Sequence, residues 1–248
     1  MMEFRSGNPM LSDKTFEPSI GTQADRMTLD GTVNKTGILL LIVALTSAWP
    51  WSMVMQNPDN AGMANMLSIA GAIIGLVLAL VISFKPHTAP YLAPIYAAAE
   101  GLFLGAISAF FELRYPGIAL QAVALTLGTM ATLLLAYKSG LIRATENFKL
   151  MVISATGAIC LLYLVSFIMS FFGTSIPFIH QGGVIGIGFS LLVVSVAALN
   201  LVLDFDFIEN GVNSGAPKHM EWYGAFSLTV TLVWLYIEFL RLLSKLRD

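Results

Sequence analysis

Residues 62–84 read GMANMLSIAGAIIGLVLALVISF, 23 positions without one charged side chain. The hydrocarbon core of a bilayer is about 30 Å thick, and a helix needs about 20 apolar residues to cross it. In lipid the backbone must satisfy its own hydrogen bonds, so only a helix or a closed barrel can span. A barrel strand alternates polar and apolar residues. This stretch shows no such alternation and predicts a membrane-spanning helix.

Six more runs of the same kind lie at about 37–55, 91–111, 118–137, 150–172, 183–205 and 222–243. Together they predict an all-α, polytopic membrane protein, a seven-transmembrane helix bundle. Loop chemistry separates the runs: Asn57-Pro58-Asp59-Asn60, Lys85-Pro86-His87, Tyr115-Pro116-Gly117, and the stretch from Asn210-Gly211 to Pro217. The composition agrees, with 56% hydrophobic and 11% charged residues, where soluble domains carry about 25% charged. A net charge of -2 without a basic patch points to no nucleic-acid partner. Cys160 is the only cysteine, so no intrachain disulfide forms, and its apolar surroundings predict a buried small hydrophobe.

Residues 1–35 are polar and mixed in charge and read as a disordered cytoplasmic tail, with Thr28-Leu29-Asp30 as the start of a short amphipathic helix. The first apolar run follows this polar stretch, so it reads as a signal anchor and first span, not a cleaved leader. Residues 36–248 form the helical domain. With the N-terminus inside, nine Lys and Arg fall in cytoplasmic segments and four outside, which favours that orientation. Seven spans then leave the C-terminus outside. The basic Arg241, Lys245 and Arg247 run against this, and one re-entrant segment would return the end to the cytoplasm. Gly71/Gly75, Gly101/Gly105 and Gly182/Gly186 repeat at four-residue spacing and predict close helix contacts.

Function is sought where charge sits in hydrocarbon, because an acid at a span centre costs about 2.5–3.5 kcal/mol on the insertion scale. Glu100, Asp204, Asp206 and Glu238 meet that condition. Asp204 and Asp206 are two residues apart, so on a helix they face roughly opposite sides. Glu238 has apolar neighbours and Arg241 at i+3, an intrahelical ion pair being the plain alternative to a functional role. For Glu100 the plain alternative is an interhelical hydrogen bond. Two acids brought close at low dielectric cannot both ionise. Such a pair holds one proton when acidified and binds a hard divalent cation when ionised.

An enzyme is not expected, and no cofactor is. His87, His180 and His219 lie in different loops, without zinc-ligand spacing or a Ser–His pair. Val202-Leu203-Asp204 lacks the glycines that would loosen the backbone in an intramembrane aspartyl protease. Met53, Met55, Met63 and Met66 read as apolar packing, not soft-metal ligands.

Several segments together carry a family resemblance: Arg5-Ser6-Gly7-Asn8-Pro9, Met27-Thr28-Leu29-Asp30, Glu100-Gly101-Leu102-Phe103-Leu104-Gly105, Ala198 to Asp206, and Trp234-Leu235-Tyr236-Ile237-Glu238. On these the chain resembles the Bax inhibitor-1/YccA family, in particular its actinobacterial branch. The resemblance implies a bundle with a central last helix, in a bacterial plasma membrane. It also implies a pH-sensitive calcium leak channel, gated by two carboxylates of the last two helices that share a proton. By position Asp204 matches the first and Glu238 the second, with Asp206, Arg241, Glu100 and Asn200 in support. The same two acids would be the Ca²⁺ ligands, with Ca²⁺ as permeant ion and not as cofactor. Glu in place of the family's Asp adds one methylene, and the family's further acid and basic partner near span two have no match in this chain. Counted from Trp222, Glu238 lies about 24 Å along span seven. A meeting with Asp204 therefore needs that helix to start in water, which the polar stretch Ser214–Glu221 would allow. The competing function is a non-conducting regulatory membrane protein, modulating a membrane protease or stress survival through the tail 1–35.

Overall fold

In the computed structural model, which describes residues 26–173 and 183–247, every predicted apolar run is a helix. The helices are α1 (Leu29–Gln56), α2 (Ala61–Phe84), α3 (Ala89–Arg114), α4 (Ile118–Lys138), α5 (Glu146–Phe171), α6 (Val184–Asn213) and α7 (Met220–Arg247). Seven helices among the described residues are long and apolar enough to cross a membrane. They run alternately up and down. We call the end at which α1, α3, α5 and α7 begin the basal end.

Most helices outrun their apolar cores, because polar residues continue the helical backbone at their ends. The difference is largest at α1, which starts at Leu29. The boundary drawn at residue 35 therefore falls inside a helix, and residues 26–35 belong to the bundle. The reading of residues 1–25 as a tail lies outside the described residues. Thr28 caps α1, its hydroxyl accepting from the Gly31 N–H at 3.0 Å. Met27 is buried, and its N–H donates to the Ala216 carbonyl at 2.7 Å in the α6–α7 turn.

Caps close the turns as the punctuation residues require. After α3, Gly117 adopts φ 83°, a left-handed conformation natural to glycine. The Glu112 carboxylate accepts from the Gly117 and Ala119 N–H groups at 2.6 and 3.2 Å, satisfying the start of α4. Gly140 and Gly215, both at positive φ, turn the chain after α4 and α6.

The last helix is central, as expected, and α3 shares the centre. In their most apolar stretches 61% of the residues of α3 and α7 are buried, against 33% for α6 and 17–22% for the others. The reason for α3 is a row of small side chains at every fourth position: Ala89, Ala93, Ala97, Gly101, Gly105 and Ala109. A Cβ on Gly101 would stand 2.6 Å from the Val43 carbonyl oxygen, and one on Gly105 2.7 Å from Pro50 Cγ, so α1 lies directly on the α3 backbone. On the other side, a Cβ on Gly71 would stand 2.5 Å from the Ala99 carbonyl oxygen, bringing α2 equally close. Gly186 is buried, and its carbonyl accepts from Lys245 Nζ at 3.2 Å. Gly182 lies outside the described residues.

Cys160 corrects the sequence reading, for it is exposed on α5. Apolar neighbours in sequence do not distinguish a protein interior from a face turned to lipid.

Candidate functional site: carboxylates along the central helix

Asp204 is carried by α6 and turned onto α7, where it is 8% exposed. Two α7 hydroxyls hold it. Ser227 Oγ donates to Oδ1 and Thr231 Oγ1 donates to Oδ2, each at 2.6 Å. Ser227 and Thr231 are four residues apart, which places both on the strip of α7 that meets α6. No Lys or Arg forms an ion pair with Asp204 among the described residues. Neither hydroxyl was singled out from sequence. The available clue was an i, i+4 hydroxyl pair on an apolar helix that follows an intramembrane acid.

Glu238 occupies a different place. It is 1% exposed, and Arg241 NH1 donates to Oε1 at 3.0 Å. Tyr163 of α5 donates to the same carboxylate at 3.0 and 3.1 Å, and the Arg241 guanidinium lies 5.1 Å from the centre of the Tyr163 ring. The i+3 ion pair named from sequence is thus present, with a tyrosine as third member.

The structure does not bring Asp204 and Glu238 together. Asp204 is bound at Ser227 and Thr231, and Glu238 lies seven residues beyond Thr231, about 10 Å along the helix. The cause is the start of α7. It begins at Met220 on the basal side, with Glu221 already buried, so the late entry that a meeting requires does not occur.

Asp206, two residues from Asp204, faces the other way. It pairs with Lys149 at 2.9 Å, accepts from Asn210 Nδ2 at 2.9 Å and lies 3.5 Å from the Tyr137 hydroxyl. Tyr137 also donates to Glu209, so the basal ends of α4, α5 and α6 are tied by one polar cluster. Asn200, one turn before Asp204, donates to Thr156 Oγ1 of α5 at 2.8 Å and to the Val196 carbonyl at 2.9 Å. Glu100 is buried between α3 and α2. A Cβ on Gly75 would stand 2.6 Å from Glu100 Oε1, so the glycine leaves room for the carboxylate. Tyr96, one turn earlier, donates to it.

A further acid was passed over in the sequence as part of a polar connection. Glu221 is 1% exposed and receives the N–H and hydroxyl of Thr28 at 2.9 and 2.8 Å, together with the Lys35 ammonium. It fastens the start of α1 to the start of α7. All buried side-chain polar atoms among the described residues have a hydrogen-bond partner. No group of three or more His, Cys, Asp or Glu capable of holding a metal occurs among them.

A family model described as "Bax inhibitor 1 like" matches residues 8–248. No curated protein and no solved structure matches the chain.

Proposed function

Because the chain belongs to the Bax inhibitor 1 like family, we propose that it is a proton-sensitive cation leak, with Ca²⁺ as permeant ion and Asp204 as the group whose protonation sets the leak. The observation that carries this reading is the hydroxyl cage. Asp204 is a buried acid of the membrane interior held by two neutral donors and, among the described residues, by no cation. An ionised carboxylate accepts from both hydroxyls. A protonated one has an O–H of its own to donate, so one hydroxyl must turn from donor to acceptor. Thr231 can do so if its proton turns to the Ser227 carbonyl one turn back, the same kind of bond that Thr229 makes to the Ala225 carbonyl at 2.8 Å. Binding one proton therefore rewires the contact between α6 and α7.

Glu238 lacks that freedom, because Arg241 balances its charge. Its place in the proposal is a fixed ion pair, and the proton-sharing pair is replaced by a single responsive acid. Asp206 and Glu209 place carboxylate oxygens on a cavity at the basal end of the bundle, the ligand type that Ca²⁺ prefers. A leak needs binding weak enough to release the ion, and carboxylates already engaged by Lys149 and Tyr137 suit that better than a closed metal cage. We place the basal end in the cytoplasm of a bacterial cell, since Lys35, Lys85, Lys138, Arg143 and Lys149 all lie there.

The test is Ca²⁺ flux into proteoliposomes as external pH is varied, for the wild type and Asp204→Asn. The amide preserves the size of the side chain and removes the titrating proton. The wild-type rate is expected to change with pH, and the variant rate to be flat. Equal pH dependence in both would reject Asp204. Absence of wild-type flux at every pH would favour the non-conducting regulatory reading.

A further inference from the structure

Between α1 and α4 the bundle surface is open. The two helices have almost no backbone contact, and α7 forms the floor between them. Two cavities of about 940 and 300 Å³ lie end to end in this gap and meet at Leu40, and we treat them together as a groove. Val33 and Leu40 of α1 face Leu134 and Met130 of α4 across Leu228 and Leu232 of α7. Above its mouth, the α1 wall of the basal half has its hydroxyls satisfied within the helix. Thr32 and Thr36 line it there, and each hydroxyl donates at 2.9 Å to its own helix, at Thr28 and Thr32. From Val33 to Ser47 the groove runs about 21 Å, longer than the roughly 15 Å depth of one hydrocarbon leaflet.

The basal mouth is polar, and its charges divide unequally. Asp206 is taken by Lys149, and Glu209 accepts from Tyr137. Lys138 and Arg143 line the same mouth, both are exposed, and neither makes an ion pair among the described residues. Lys138 and Arg143, without an ion-pair partner among the described residues, stand beside Glu209 at the headgroup end of this apolar groove. A guanidinium matches phosphate oxygens in a bidentate fashion, and basic pockets beside membrane helices select anionic headgroups.

We propose that this groove is a binding site for one anionic phospholipid, its acyl chain lying along α1 and α4 over α7 and its phosphate resting on Lys138 and Arg143. The site does not involve Asp204, but it shares its mouth with Asp206 and Glu209. It would also cover the basal face of α6 that carries Asp206.

The test is native mass spectrometry of the full-length protein in mild detergent, incubated with equal amounts of phosphatidylglycerol and phosphatidylcholine of identical acyl chains. Phosphatidylglycerol is expected to be retained about tenfold better: Lys138 and Arg143 contribute about 1 kcal/mol each near an anionic headgroup, Glu209 beside them offsets part of this, and a tenfold ratio corresponds to about 1.4 kcal/mol. The double variant Lys138→Gln/Arg143→Gln, both changes at exposed positions, is expected to bring the ratio close to one. Val33→Trp, also at an exposed position, fills the groove and is expected to reduce retention of both lipids. Equal retention of the two lipids by the wild type would overturn the assignment, as would an unchanged ratio in the double variant. Preferential retention seen only after removal of residues 1–25 would assign the groove to that segment instead of lipid.

Discussion

Gly101→Leu is expected to remove the folded protein from detergent extracts, with a destabilisation above about 3 kcal/mol. A Cβ at this position would stand 2.6 Å from the Val43 carbonyl oxygen and closer still to Thr46 Oγ1. Thr46 cannot simply rotate away, because its hydroxyl is already bonded to the Ile42 carbonyl at 2.8 Å. The α1 backbone would have to lift, and with it the contact extending to Gly105 and Pro50. Gly128→Ala is the control, since a Cβ there meets nothing within 4 Å. In a helix interior that change removes glycine's propensity penalty of up to about 1 kcal/mol, so its thermal midpoint should hold or rise. A monodisperse Gly101→Leu protein with an unchanged midpoint would contradict the close approach of α1 to α3.

Glu221→Ala is expected to cost about 3 kcal/mol, because it strands the partners of a buried ion pair. The Lys35 ammonium, with its side chain 17% exposed, and the Thr28 N–H both lose their acceptor. Lys35 retains only the face of the Trp222 ring, 5.6 Å away. Hydrogen exchange should locate the damage. Amides of residues 27–36 are expected to lose protection, while the centre of α3 keeps its own. A second change at Lys35 to Ala should cost less in the Glu221→Ala background than in the wild type, because the charge it removes is already unpaired. Additive effects would mean that the two groups do not interact.

The spans were legible because the bilayer imposes one length and one backbone solution on every crossing. Residues 62–84 have no polar side chain beyond Asn65, Ser68 and Ser83, and nothing but a helix accommodates them. The carboxylates were legible as individuals, since an acid in hydrocarbon stands out whatever it touches. Their partners were not, because partnership depends on depth and rotation, which a hydrophobic run leaves open. Asp204 and Glu238 fall at different depths once α7 starts at Met220, and a shift of two turns in that start separates a shared proton from two independent sites. Ser227 and Thr231 looked like ordinary polar interruptions and acquire a role only when α6 packs against them. Glu221 looked solvated because its neighbours in sequence are polar, yet α1 covers it. Cys160 failed in the opposite sense, its apolar context belonging to a lipid-facing strip.

The mechanism rests on Asp204 taking up a proton inside its hydroxyl cage, and infrared difference spectroscopy of the reconstituted protein reads that event directly. The acid-minus-neutral spectrum is predicted to contain a protonated carboxyl band that disappears in Asp204→Asn and rises with the same pH midpoint as the change in Ca²⁺ flux. A spectrum in which Asp204→Asn removes no band, or a band whose midpoint departs from that of the flux, would contradict the account.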